Sequence, residues 1–236
     1  MLVSVERRCA PGTPRARRSL RLGSALAFGV LCAGGAYPGE VDVSVRAPGG
    51  ARVPDVSVVL EPAVPVAAPK RRDHPVARIE QRDRRFIPQL LVIQRGTQVE
   101  FPNNDTISHQ VYSFSPARRF QLSLYKGTVH PPIAFDTPGL VVLGCNIHDD
   151  MIGYVLVTDS PYFGLTDANG SAHIAGVPAG RYTLHVWAPR IADTTASLDR
   201  GVEVAESGEA TVGVTLAKPL LAAPSPRPGR AEWDAY

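Results

Sequence analysis

Cys145, His148 and Met151 lie within seven residues of one another, in Gly144-Cys145-Asn146-Ile147-His148-Asp149-Asp150-Met151, a C-x-x-H-x-x-M pattern. A second histidine, His109, follows the polar run Asn103-Asn104-Asp105-Thr106-Ile107-Ser108. A thiolate, two imidazoles and a thioether are the ligand set of a blue-copper electron-transfer site. The soft sulfurs favour copper over hard cations, and a long, weak methionine contact helps set the reduction potential. In this reading Cys145 is the anionic ligand, deprotonated when copper binds, His109 and His148 are neutral imidazoles, and Met151 is axial. Backbone amides around Cys145 and the side chain of Asn104 are candidates for the hydrogen bonds that tune the site.

Cysteine usage supports an occupied thiol. The chain has three cysteines, Cys9, Cys32 and Cys145. The first two fall in an expected export signal, residues 1–36, with Arg7, Arg8, Arg15, Arg17, Arg18 and Arg21 ahead of the apolar run Leu22 to Leu31 and small residues up to Ala36. That run is too short to span a bilayer, so no membrane span is expected in the mature chain. Arg17-Arg18 is a weak twin-arginine signal, and Gly29-Val30-Leu31 before Cys32 is a poor lipoprotein signal. A periplasmic protein left with Cys145 alone cannot form an internal disulfide. Metal ligation is a good occupation for a thiol in an oxidising compartment. Taking six arginines and one glutamate from 25 basic and 22 acidic side chains leaves 19 and 21, a net of −2. The basicity belongs to the leader, and nothing points to nucleic acid.

The elements that must position these ligands read as strands. Long helical periodicity is absent, and short alternating apolar runs are separated by Pro- and Gly-rich turns, the pattern of an all-β chain. Val41 to Val45 and Val53 to Leu60 read as two strands, followed by a Pro/Ala-rich, basic loop from Pro62 to His74. Val76 to Gln81, Phe86 to Gln94, Gln98 to Phe101, Ile107 to Phe114 and Pro132 to Phe135 read as strands. Leu140 to Leu143 and Ile152 to Val157 flank the ligand-rich segment, read as a loop. A third block has strands at Ser171 to Ile174, Arg181 to Trp187, Val202 to Val204 and Thr211 to Leu216. Residues 218–236 carry no core pattern and are expected to be disordered.

Residues 76–159 resemble a cupredoxin of the plastocyanin and amicyanin type, through Gly96-Thr97-x-Val99-x-Phe101-x-Asn103-x-Asp105, His109-x-Val111, Gly139 and the C-x-x-H-x-x-M segment. The mature chain is similar to exported proteins labelled methylamine utilization protein. In that family a tryptophan often precedes the methionine, where this chain has Asp150. The third block resembles a carboxypeptidase-regulatory-like, or transthyretin-like, sandwich, through Thr166-Asp167-Ala168-Asn169-Gly170 and Val177-Pro178-Ala179-Gly180-Arg181-Tyr182. That family begins with a strand pair, which Val41 to Leu60 supplies. The expected organisation is therefore discontinuous: residues 41–63 with 160–217, and the cupredoxin, 76–159, inserted between them. Two cupredoxin strands with a C-terminal module are the simpler alternative. The resemblance implies a copper Greek-key sandwich carrying single electrons to a redox partner protein, with His148 nearest the surface as the electron exit. Asp149 and Asp150 would then steer a basic partner, an effect weakened by salt.

Plainer readings stand beside these. A buried cysteine is often inert, and methionine often fills core gaps. His74, His130, His173 and His185 read as loop or surface residues, and Asp167 with Asn169 as a structural turn rather than a calcium site. A cysteine hydrolase built on Cys145 and His148 lacks a separate orienting group and oxyanion framework, so no enzyme is expected. A binding module with a vacant site and a periplasmic copper carrier are the alternatives to an electron carrier.

Overall fold

The computed structural model describes residues 39–64, 75–206 and 208–222. The expected leader, most of the basic loop and residues 223–236 lie outside them. In chain order the strands are β1 (Gly39–Arg46), β2 (Ser57–Pro62), β3 (Val76–Arg78), β4 (Glu80–Arg82), β5 (Arg85–Ile87), β6 (Leu90–Gln94), β7 (Thr97–Glu100), β8 (His109–Ser115), β9 (Arg118–Tyr125) and β10 (Ile133–Phe135). They continue as β11 (Gly139–Cys145), β12 (His148–Thr158), β13 (Phe163–Leu165), β14 (Ser171–Val177), β15 (Gly180–Trp187), a one-turn helix α1 (Thr195–Leu198), β16 (Arg200–Val204) and β17 (Glu209–Thr215). The chain is all-β in class, and no helix among the described residues is long and apolar enough to cross a membrane.

β1 shows why these segments extend. Its valines 41, 43 and 45 are buried and alternate with exposed or half-buried Glu40, Asp42 and Ser44, the period-two pattern of a strand with one face in a core. β1 lies between β14, antiparallel, and β17, parallel. β2 pairs antiparallel with β13 and β15, and β16 extends that sheet. Val41, Val43 and Val45 of one sheet and Val58, Leu60 and Leu184 of the other belong to a single apolar cluster, so the two sheets enclose one core. The first two strands thus pair with strands beyond residue 160.

A second core is enclosed by a five-stranded sheet, β6-β12-β11-β8-β9, and a three-stranded sheet, β10-β7-β3. It holds Ile79, Val99, Phe101, Val111, Phe135, Val141, Leu143 and Val155, and with them Cys145 and Met151. β12 serves two cores. Its inward residues Met151, Val155 and Val157 fill this one, while outward Tyr154 and Leu156 meet Val59, Leu90, Val92, Phe163 and Trp187 in an apolar seam.

Several boundaries differ from the sequence reading. The segment 53–56 is a corner rather than strand: Asp55 has a left-handed backbone (φ 56), and the Val56 amide donates to the Thr166 hydroxyl. Val76 to Gln81 divides at buried Ile79 into β3 and β4, which pair with different partners. Phe86 to Gln94 divides at Pro88, which lacks the amide a central strand needs. β9, β13 and α1 are additional elements. At the start of the expected tail, the Lys218 amide donates to Asp193 and that of Leu221 to the Arg190 carbonyl. The turn at Asp167–Gly170 is built as read: the Asp167 carboxylate accepts the amides of Asn169 (2.8 Å) and Ser171 (2.9 Å). Gly170 closes it with φ 66, where a β-carbon would meet the Val45 carbonyl at 2.7 Å.

Candidate metal centre

Cys145 is the last residue of β11. Inward-facing Val141, Leu143 and Cys145 alternate with outward Val142 and Gly144, so strand period alone turns the thiol into the core. Only Asn146 and Ile147 separate it from β12, and Cys145 and His148 are cross-strand partners. The segment read as a loop is therefore a tight hairpin, with most of it, from His148 on, belonging to β12. The next pair is Gly144 with Ile152, so Asp149, Asp150 and Met151 bulge from β12 opposite a single step of β11. The bulge re-aims the chain. It leaves Asp149 and Asp150 exposed and seats Met151, 1% exposed, in the same core as Cys145.

His109 opens β8 and is fully buried, whereas His148 is half-buried. The Cys145 Sγ lies 3.8 Å from His109 Nδ1 and 3.8 Å from His148 Nδ1, with the two rings edge to face at 4.9 Å. The three ligand atoms fall within 4.8 Å of one another, and this is the one such His/Cys/Asp/Glu group among the described residues. A first-row ion such as zinc, held at ~2.1 Å by nitrogen and ~2.3 Å by sulfur with a trigonal angle between them, needs N···S edges of ~3.8 Å. The donor set and both sulfur edges thus fit a trigonal His-Cys-His site, and a buried thioether beside it is the complement a blue-copper centre uses.

Around these atoms the hydrogen bonds are specific. The amides of Gln110 and Ile147 point at the Cys145 sulfur. Burial alone would push that thiol up; the His109 hydrogen bond, the two amides and the His109 charge outweigh it and hold the thiol below its usual range. Burial likewise opposes protonation of His109, but hydrogen bonds and charge from Cys145 and Asp105 hold its pKa above the usual value. The His109 Nε2 meets Asp105 Oδ2 at 2.9 Å. Asp105 was not among the candidates read from sequence, although it sits in the polar lead-in. Burial would raise its pKa, yet the His109 hydrogen bond and the Arg84 and Thr106 amides bring it down to about 2.

Asn104, the expected tuning side chain, is exposed, and its amide donates to the Gln81 carbonyl. Its neighbour Asn103 is the buried one. Its Nδ2 donates to the carbonyls of Ile107 (2.9 Å) and Tyr125 (2.7 Å), and its Oδ1 accepts the Asp105 amide (3.0 Å). Asn103 therefore fixes the turn that leads into His109.

The other histidines are engaged elsewhere. His185 bonds Asp199 and Glu61 through its two ring nitrogens, His173 bonds Asp42, and His130 packs edge-on against Tyr125. His74 lies outside the described residues. Beside the centre a cavity of about 470 Å³ is lined by Tyr112, Phe114, Val142, Cys145, Asn146 and Met151, with Phe114 exposed at its edge.

Comparison with known proteins places partial likenesses on this chain. The family described as Polysaccharide lyase family 4, domain II, matches residues 143–212, from β11 into β17. No curated protein sequence matches. Among solved structures the neighbours include cupredoxins and a copper-containing nitrite reductase. A purple cupredoxin from Nitrosopumilus maritimus is 21% identical, covering 35% of this chain and 99% of its own, with TM-score 0.32. A reduced Cu(I) form of an amicyanin mutant is 18% identical, covering 43% and 98%, with TM-score 0.33. Oxidised plastocyanin from Dryopteris crassirhizoma is 20% identical, covering 35% and 100%, with TM-score 0.31.

Proposed function

We propose that this chain is an exported blue-copper protein that carries single electrons between redox partners. The observation that supports this reading above all is the Cys145 sulfur standing 3.8 Å from one nitrogen of each of two histidines, in a β core that also buries Met151. His109, Cys145 and His148 would hold the metal, and Met151 would supply a weak thioether. Copper supplies the one-electron change between Cu(II) and Cu(I). The chain's part is to keep the ligands still. Cys145 and His148 are locked as cross-strand partners, and His109 is enclosed on all sides. Ligands fixed by strands cannot rearrange freely with oxidation state, which keeps the reorganisation cost low and distinguishes an electron carrier from a protein that must release its copper. The Gln110 and Ile147 amides stabilise the thiolate charge.

Half-buried His148 is the electron exit in this reading, with exposed Asp149 and Asp150 steering a basic partner. Residues 41–63 and 160–217 form the host sandwich into which residues 76–159 are inserted. Residues 1–36 direct export to the periplasm.

The test uses residues 37–236 with added Cu(II). The reading expects an intense thiolate-to-copper charge-transfer band, absent in Cys145→Ser, and a reversible voltammetric wave. A colourless protein would overturn the copper reading; a blue protein without a reversible wave would favour a copper carrier.

A further inference from the structure

We propose that Asp105 is a positioning residue for His109: it fixes the ring with Nδ1 toward Cys145 and strengthens that nitrogen as a donor, so that the oxidised metal is favoured. The copper part of this rests on the function proposed above; the orientation part does not. His109 presents Nδ1 to Cys145 Sγ and Nε2 to Asp105 Oδ2, at opposite edges of one buried ring. A carboxylate is only an acceptor, so in the neutral ring the bond places the proton on Nε2 and leaves the Nδ1 lone pair free.

Asp105 is held for this task. Its Oδ2 also accepts the Arg84 amide at 2.7 Å, and its Oδ1 accepts the Thr106 amide at 2.7 Å. Its own amide is anchored on Asn103. The side chain is only 10% exposed. The Arg84 amide comes from the two-residue turn between β4 and β5, where Asp83 (φ 52) and Arg84 (φ 57) are both left-handed. Such turns favour Asn-Gly. Here the second position of an Asp-Arg pair donates to the carboxylate that holds the histidine. A carboxylate behind a metal-bound imidazole raises its basicity. Its negative charge also stabilises a doubly charged ion more than a singly charged one.

The experiment compares the full mature chain with Asp105→Asn and Asp105→Glu. Nitrogen-15 NMR of metal-free wild-type protein is expected to find, once the ring is neutral, the His109 proton on Nε2 and slow to exchange; a neutral ring with its proton on Nδ1 overturns the proposal, and this readout needs neither copper nor a variant. In Asp105→Asn, Cu(II) affinity measured by competition is expected to fall about 10–100-fold. Cu(I) affinity falls less, and each tenfold excess raises the potential by about 59 mV. Asp105→Glu restores part of the change. An Asp105→Asn protein with wild-type affinities and potential overturns the proposal while leaving a blue site standing. A wild-type protein with the Nε2 proton but no blue colour sinks the copper reading and leaves the orienting role in place.

Discussion

The ring of Tyr112 rests on the α-carbon of Gly144: a β-carbon built there would lie 2.7 Å from Tyr112 Cζ and 2.8 Å from its hydroxyl oxygen. The two residues are cross-strand partners, and Gly144 immediately precedes Cys145. Gly144→Ala must displace either the ring or the strand that carries the thiol. We expect a loss of about 1–3 kcal/mol in denaturant unfolding, the usual cost of overpacking. Tyr112→Ala in the same chain should recover much of it, so the pair is strongly non-additive. Simple additivity of the two single variants would contradict the contact.

Thr166 makes a different prediction in the other core. Its buried hydroxyl donates to the Val53 carbonyl at 2.8 Å and accepts the Val56 amide at 3.0 Å, holding the corner before β2 against β13. Thr166→Val keeps the shape and removes both partners, leaving two buried backbone groups unpaired. That should cost about 1–3 kcal/mol, measured as a lower denaturation midpoint. An unchanged midpoint would mean that water replaces the hydroxyl.

Acid should weaken the metal-free protein through Asp105. Its folded pKa is lowered from 3.8 to about 2, so its contribution is complete above the unfolded value and is lost as pH falls from about 4 toward 2. The difference in stability between wild type and Asp105→Asn, followed by urea unfolding from pH 5 to 2, is expected to shrink across that window. A constant difference would argue against the bond to His109.

His173 titrates in the opposite sense. Its hydrogen bond to Asp42 raises its pKa above 6.5 against a slight desolvation that lowers it, with the charges of Asp42, Glu40 and Glu209 adding to the rise. Any stability it contributes is present below 6.5 and lost as pH rises through the raised value. Proton NMR should give a midpoint above 6.5 that falls in Asp42→Asn; a midpoint unaffected by that change would exclude the pairing.

How far the centre could be read from sequence depends on what each residue does. Cys145, His148 and Met151 stood out because their residue types and short spacing match a metal-ligand pattern, and the structure brings Cys145 and His148 to 3.8 Å. His109 was legible from its polar lead-in. Asp105 was not, because its role follows from where a turn aims a carboxylate. Asn103 and Asn104 show the same limit: a shift of one position exchanges buried and exposed sides, and identity alone does not say which asparagine faces in. β1 was plain because its valines alternate cleanly. β9 was hidden because the charged pair Arg118-Arg119 opens it and exposed Leu124 breaks the expected alternation. The division of Val76 to Gln81 was hidden because Ile79 continues the apolar run while its neighbours change sheets.

The pairing of β1 and β2 also sets an order of events during synthesis. Ser57 bonds the carbonyl of Trp187, 130 residues later. Every strand from β3 to β12, with all four candidate ligands, leaves the ribosome before β1 or β2 meets a partner. Contacts that distant slow folding, and unpaired strands are exposed to aggregation while they wait. The valines of β1, Val41, Val43 and Val45, are thus among the last to be covered. The segment with the candidate ligands can fold before the two parts of the first core have met.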